Sequence, residues 1–113
     1  MHFIVNLFKK NNKIYLISGD IGGNVIIFDF VSTDEISSIY VDDIIYSLCS
    51  INDKFILVGN EINGFKLIDL DNKSIIKNYK AHNEAVLGME KIKTNDKKEY
   101  IITYDYNEIK VWE

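Results

Sequence analysis

The sequence contains no arginine and no proline, and it has a single cysteine, Cys49, among 113 residues. Arginine is the side chain best suited to paired hydrogen bonds with phosphate or guanine. The net charge is −4, and the lysines do not form a basic stripe along the sequence, so nucleic acid is not an expected partner. One cysteine cannot form an internal disulfide, which agrees with a reducing compartment. We therefore expect a cytoplasmic location.

Long hydrophobic runs are also missing. No apolar run approaches the roughly 18 residues that a membrane-spanning helix needs. No lysine precedes the short apolar run at residues 3–8, and Lys9 and Lys10 follow it where a cleavage site would stand, so a signal peptide is not expected either. Membranes are thus not among the predicted partners.

Short apolar runs separated by turn residues dominate what is present. Hydrophobic residues make up 47% of the chain and aromatic residues 12%, and together with abundant isoleucine they favour β-sheet. Asn63-Gly64 is a strong signal for a hairpin turn. The runs that we interpret as successive hairpins are residues 14–17 and 25–30, 55–58 and 65–70, and 100–103 and 109–112.

These hairpins recur with a nearly constant period. Gly19 and Gly59 are 40 residues apart, and Ile68 and Trp112 are 44 residues apart. A period of 40–45 residues with four short strands per unit is typical of β-propeller blades. We predict an all-β chain that forms a partial β-propeller of about three four-stranded antiparallel blades, the last of which is missing its outer strand. The predicted blades span residues 3–41, 44–80 and 85–113.

Residues 85–92 are the most ambiguous segment. Their alanine, leucine, methionine, glutamate and lysine residues are good helix formers, so a helix over residues 83–93 is the alternative interpretation. The repeat favours a strand, and we predict one.

The third unit carries the clearest motif. Ala81-His82 is followed by Val86, and the unit ends with Trp112-Glu113. These residues resemble the WD40 repeat family, in which Gly-His begins a repeat and Trp-Asp ends it. Weaker copies of the pattern stand in register at residues 45–49, 51–60 and 67–70 of the second unit and at residues 16–20 and 26–30 of the first.

The resemblance also implies a buried network of hydrogen bonds. In the family, a histidine, a serine or threonine, a turn aspartate and the tryptophan are linked by hydrogen bonds within a blade. The last turn of this chain is one residue shorter than in the family, which puts Thr103 and Asp105 about one position out of register. The second unit keeps none of the four residues, and the first keeps only Ser18, with Phe28 replacing the tryptophan and Gly22 the aspartate. The third-unit residues are His82, Thr103, Asp105 and Trp112.

The function implied by the resemblance is a non-catalytic scaffold for protein–protein interaction, with no cofactor and no metal. Contacts are expected from the loops at one end of the blades. Three blades cannot close a ring, so we expect the apolar end faces to be covered by missing blades or by a second copy. The loop residues expected to contact a partner are Asp20, Asn24, Asp42, Asp43, Asn60, Asn63, Asn83, Glu84, Asp105 and Tyr106.

The sequence shows no grouping of reactive side chains at the spacing of a catalytic or metal site. His82 has no partner at metal-ligand spacing, Cys49 lies within an apolar strand, and residues 19–23 lack the spacing of a phosphate-binding loop, so we expect structural roles and no enzyme. The charged residues that we expect to be solvated are Asp34, Glu35, Asp42, Asp43, Asp53, Asp71, Lys91, Lys93, Lys97 and Lys98.

Two other functions remain open. The chain could be a structural fragment of a larger assembly or a truncated gene product without a task of its own. A propeller-based enzyme or sensor would instead require two carboxylates, or a histidine and a carboxylate, that converge in a deep cleft.

Overall fold

Eleven β-strands and no helix make up the part of the chain that the computed structural model describes, residues 3–62, 64–80 and 82–113. The all-β prediction is confirmed. The first sheet contains β1 (Phe3–Lys10), β2 (Lys13–Asp20), β3 (Asn24–Asp29) and β4 (Glu35–Tyr40). The second contains β5 (Ile45–Ser50), β6 (Phe55–Asn60), β7 (Phe65–Asp69) and β8 (Ser74–Tyr79). The third contains β9 (Gly88–Lys93), β10 (Glu99–Tyr104) and β11 (Ile109–Trp112).

Each sheet is an antiparallel meander in which consecutive strands are neighbours. The connections are short because their residues suit tight turns. Gly23 and Gly64 have φ values of 85° and 76°, a left-handed conformation that glycine adopts without steric cost. In the turn between β2 and β3, the Asp20 carboxylate accepts a hydrogen bond from the Asn24 amide at 3.0 Å.

The hydrophobic core consists of two clusters, one on each face of the second sheet. The first cluster joins the first and second sheets, and its fully buried members include Ile17, Val25, Ile56 and Ile68. The second cluster joins the second and third sheets through Cys49, Leu57, Phe65, Val86 and Met89. The three sheets are therefore stacked face to face, with the second in the middle.

Burial along the strands follows from this stacking. Every residue of β6 is buried except the half-buried Phe55, because both of its faces are covered. By contrast, β8 is exposed over all its residues except the half-buried Tyr79. A strand with two covered faces needs a continuous apolar run, whereas an outer strand tolerates polar residues, and the sequence shows this difference.

The ambiguous segment forms a strand, but it begins later than predicted. β9 starts at Gly88, three residues after the predicted start at Ala85. The Val86 amide donates to the Asn60 carbonyl oxygen of the second sheet at 3.0 Å, so this segment bridges two sheets before the pairing with β10 begins.

None of the described residues belongs to a helix that could cross a lipid bilayer.

Candidate interaction surface

Three hairpin turns and two links between sheets lie together at one end of the stack, which we call the loop end. The turns connect β2 to β3, β6 to β7 and β10 to β11. The links are residues 41–44 and 82–87, and backbone hydrogen bonds attach each to a neighbouring turn or strand. The bonded pairs are Val41 N to Gly23 O at 2.8 Å, Glu61 N to Ile44 O at 3.1 Å, and Leu87 N to Tyr104 O at 2.9 Å.

The predicted contact residues are all at the loop end, except that Asn63 lies outside the described residues. Tyr106 is 78% exposed. The Glu84 carboxylate accepts a hydrogen bond from the Asn107 side chain at 2.9 Å, which joins the link to the last turn. Asp43 accepts from the Ile62 amide at 3.3 Å and so joins the first link to the second-sheet turn. Asn60 and Asp105, however, are buried, so contact with a partner through their side chains is not supported.

The accessible charge at the loop end is mostly negative, with the exposed Lys80, next to the β8 residue that pairs with Phe65, as a cation at the same end. Lys66, which belongs to β7, is buried and donates from Nζ to Asn60 Oδ1 at 3.1 Å. Burial lowers the pKa of this ammonium, and the charges of Asp43 and Asp42 oppose that shift. The exposed or half-buried carboxylates at this end belong to Asp20, Asp42, Asp43, Glu61, Glu84 and Glu108.

A chain of hydrogen bonds runs through the interior of the third sheet. The Trp112 indole N–H donates to Thr103 Oγ1 at 2.9 Å. His82 Nε2 lies 2.7 Å from the same hydroxyl oxygen, and His82 Nδ1 lies 2.9 Å from Asp105 Oδ2. The other carboxylate oxygen of Asp105 accepts from the backbone amides of Asn107 and Glu108 at 2.7 and 2.8 Å. The structure thus brings together all four residues named for the third unit.

One placement of the protons satisfies every atom of this network. An ionised carboxylate only accepts hydrogen bonds, so an imidazole with a single proton carries it on Nδ1, facing Asp105. Nε2 then accepts from the Thr103 hydroxyl, whose oxygen accepts from Trp112. Every polar side-chain atom of these four residues then has a partner, as buried polar groups require. The backbone amide of Asn107 is the main cause that lowers the pKa of Asp105, burial opposes this, and His82 and Glu108 add to the lowering.

The shortened last turn does not disrupt the network. Thr103 pairs with Met89 and with Lys110 in the sheet, which directs its hydroxyl towards the second sheet. Asp105 follows two residues later and caps the turn. Counted from Ser18, which takes the place of Thr103, Asp20 stands where Asp105 stands in the third unit, and its carboxylate likewise accepts a hydrogen bond from a backbone amide of its turn, that of Asn24.

In the second sheet the corresponding positions are apolar. By register, Val58 and Ile68 take the places of Thr103 and Trp112, and both are 0% exposed. Val41, seven residues before Leu48 as His82 is seven before Met89, takes the place of His82 in the preceding link and is 2% exposed. All three belong to the first core cluster. The middle sheet is therefore held by hydrophobic packing where the third sheet uses hydrogen bonds.

One group of residues has the composition of a metal site. Potential ligand atoms of His82, Asp105 and Glu108 lie within 4.8 Å of one another, and this is the one such group among the described residues. However, both nitrogens of His82 and both oxygens of Asp105 are already engaged in the network. A metal ion would have to break the bonds that position these side chains, so the arrangement does not fit a metal centre.

The remaining candidates behave as solvated or buried side chains. Cys49 is buried, and burial raises the pKa of its thiol. Lys91, Lys93, Lys97 and Lys98 are exposed at or near the end opposite the loop end. Among the predicted acidic residues that the structure describes, Asp34, Glu35, Asp42, Asp53 and Asp71 are exposed and Asp43 is half-buried.

A groove between the second and third sheets was not expected from the sequence. It has a volume of about 310 Å³, and its lining includes Phe65, Leu67, Tyr79, Ile101 and Trp112.

Comparison with known proteins shows a fold but no family. No protein-family model matches the sequence, and no curated protein matches it. The structure is similar to a computationally designed protein, Ika4, with a TM-score of 0.70 over 96% of this chain at 20% sequence identity. It is also similar to U3-55K, with a TM-score of 0.77 over 96% of this chain at 16% identity. The chain spans 64% of the designed protein and 33% of U3-55K.

Proposed function

We propose that this chain is a non-catalytic scaffold for protein–protein interaction, formed by about three blades of a WD40-like β-propeller. U3-55K is a WD40 protein, and the likeness to it supports the fold on which this proposal depends. The motif residues of the third unit, which form one connected network, support it further.

The single observation that carries the proposal is that the stack ends in two apolar sheet faces. On the first sheet Val5 and Leu7 are 55% and 50% exposed, and on the third Ile109 and Val111 are 73% and 63% exposed. Within the chain, faces of this kind are buried against the next sheet. Contiguous apolar faces indicate association, so we propose that further sheets of the same kind, from missing blades or a second copy, cover them.

A catalytic role has less support. Hydrogen bonds at both nitrogens of His82 do not decide this, because the histidine of a catalytic triad is bonded to a hydroxyl and a carboxylate in the same way. The network of His82, Thr103 and Asp105 is buried, however, whereas an active site needs access to a cleft.

The loop end is the proposed contact surface for partner proteins. Its accessible carboxylates and the exposed Tyr106 suit a partner that presents basic side chains, because tyrosine rings and carboxylates both attract cations. The predicted contact set is accordingly reduced to the accessible residues among those described.

Affinity capture from a native extract tests the contact surface. Glu84→Lys combined with Tyr106→Ala changes two accessible side chains of the loop end, and Lys98→Glu is the matched charge reversal at the opposite end. We expect the first variant to lose the partners that the unaltered chain and the Lys98→Glu variant recover. Identical partners with all three proteins would contradict the proposed surface, and no partner with any of them would favour a structural fragment without a separate task.

Light scattering coupled to size-exclusion chromatography tests the end faces. We expect concentration-dependent association of the 113-residue chain, weakened by Val111→Lys on β11 or Leu7→Lys on β1. A stable monomer at low and high concentration would argue against covered end faces.

A further inference from the structure

The first strand of the second sheet contains one extra residue at the loop end. Two consecutive residues of β6, Gly59 and Asn60, pair with Ser47 and Ile45 of β5, so Tyr46 between them is a β-bulge. The corresponding strand of the first sheet, β1, pairs with β2 without such a break. A bulge bends its strand and changes the direction of a side chain, and bulges are common beside functional sites.

The bulge turns Tyr46 towards the third sheet. In a regular strand the side chains alternate between the two faces, so Tyr46 would share a face with Leu48. However, Ile45 and Leu48 both belong to the core cluster between the first and second sheets, which shows that the alternation is interrupted between them. Tyr46 instead lines a pocket with residues of the link 82–87 and of the turn between β10 and β11.

This pocket lies between the second and third sheets at the loop end and has a volume of about 440 Å³. Every lining residue belongs to these two sheets or to the link between them, so the pocket does not depend on the end faces of the stack. Two tyrosines, two glutamates and two apolar side chains form it. They are Tyr46, Glu61, Glu84, Ala85, Leu87 and Tyr106.

Hydrogen bonds hold both glutamates at the pocket. The Glu61 amide donates to the Ile44 carbonyl oxygen at 3.1 Å, and the Tyr46 hydroxyl donates to Glu61 Oε1 at 3.4 Å. Glu84 Oε1 accepts from the Asn107 side chain at 2.9 Å. An ionised carboxylate has about four lone-pair positions, so each glutamate can accept further donors.

The pocket is negative, and the described part of the chain supplies no ion pair to balance it. Each ion pair found there joins other residues, and none includes Glu61 or Glu84. Lys80, the exposed lysine at this end, follows β8, which lies at the opposite edge of the second sheet from β5. The charge of Glu61 is the main cause that raises the pKa of Tyr46, and burial, the hydrogen bond to Glu61 and Tyr106 add to it.

We propose that this pocket binds a cationic side chain, lysine or arginine, of a partner protein. The two carboxylates pair with the charged group, and the two tyrosine rings add cation–π attraction. Ala85 and Leu87 contact the methylene stem. A metal ion would leave most of the pocket and its apolar lining unused. The inference rests on the proposed contact surface at the loop end, and it names the chemistry that this surface recognises.

Titration followed by nuclear magnetic resonance tests the pocket in the 113-residue chain. The probes are Nα-acetyl-arginine amide and Nα-acetyl-lysine amide, and the control is Nα-acetyl-citrulline amide, which has the shape of arginine without its charge. We expect the cationic probes to shift the backbone amide signals of Glu61, Glu84 and Leu87 saturably, with a Kd of about 1 mM for the tighter one, which identifies the preferred side chain. The citrulline control should bind roughly tenfold more weakly than arginine.

Two double variants locate the site. Glu61→Gln with Glu84→Gln removes both charges of the pocket and keeps the side-chain shapes, so we expect the Kd of the cationic probes to rise by about fivefold or more. Glu35→Gln with Glu99→Gln removes two exposed charges at the opposite end and should leave it unchanged. The proposal is overturned by the absence of saturable shifts up to about 20 mM of either cationic probe, by equal affinity for arginine and citrulline, or by equal effects of the two double variants.

The outcomes separate this inference from the proposed function. Probe binding at the pocket, together with unchanged partner capture by the Glu84→Lys and Tyr106→Ala variant, would contradict the proposed contact surface alone. Loss of partners in that variant without any probe binding would contradict only the cation pocket.

Discussion

Replacing Thr103 by valine tests whether the hydrogen-bond chain of the third sheet stabilises the fold. Thr103 is 0% exposed, and its hydroxyl oxygen is the partner of both Trp112 Nε1 and His82 Nε2. Valine has nearly the same shape but no hydroxyl, so both nitrogens lose their partner. Leaving one buried polar group unpaired costs about 1–3 kcal/mol. Trp112 is only half-buried, so its unpaired N–H should cost less than the unpaired nitrogen of the buried His82, and we expect a total loss of about 2–4 kcal/mol in the free energy of unfolding.

The matched variant is Thr103→Ser, which keeps the hydroxyl and removes one methyl group. Deleting a single buried methyl costs about 1 kcal/mol, so serine should be the less damaging substitution. Urea unfolding, followed by the fluorescence of Trp112 and by far-ultraviolet circular dichroism, measures both. If the valine variant were as stable as the unaltered protein, or more stable than the serine variant, the network would not be stabilising the third sheet.

Three further predictions concern pH, packing and reactivity. The lowered pKa of Asp105 means that its stabilising contribution is present above the unfolded-state pKa of about 3.9 and is lost as the pH falls through the lower folded-state value. The loss of stability in Asp105→Asn, measured by urea unfolding across pH, should therefore be largest above about pH 5 and shrink as the pH falls below it. A Cβ at Gly59 would overlap the Ser47 hydroxyl and lie 3.0 Å from the Val86 carbonyl oxygen, so Gly59→Ala should lower the free energy of unfolding by about 1–3 kcal/mol. A Cβ at Gly22 would meet only side chains at 3.3 Å or more, so Gly22→Ala should lower it less. Equal losses in the two variants would contradict this packing. Cys49 is buried and its pKa is raised, so alkylation by iodoacetamide, followed by mass spectrometry, should be slow in the native protein and fast in urea, and rapid labelling under native conditions would show that the strand opens.

The hairpins were the most predictable part of the fold, because their signals are local. Asn and Gly at the turns and continuous apolar runs in β2 and β6 depend only on neighbouring residues. The start of β9 was less predictable: Val86 pairs with Asn60 of another sheet, and no pattern within residues 83–93 carries that contact.

The candidate sites, like the strands, were predictable from the sequence only where a local motif marks them. His82 and Trp112 were identified by their resemblance to a repeat motif, but the motif did not show that a shortened turn still brings Thr103 and Asp105 to them. Burial removed Asn60 and Asp105 from the expected contact surface, because burial depends on the sheet that packs above a residue and not on the residue's own polarity. The groove beside Trp112 had no signal of its own in the sequence.

The sequence by itself determined that this chain forms strands, where most of them turn, and that four-strand units recur about every 40 residues, since strand propensity, turn chemistry and periodicity are properties of short segments. The tertiary structure alone decided which faces meet, which polar side chains are buried with partners, and which edge and faces are left uncovered. These properties depend on side chains that lie far apart in the chain, such as Asn60 and Val86, and come together only when the sheets stack.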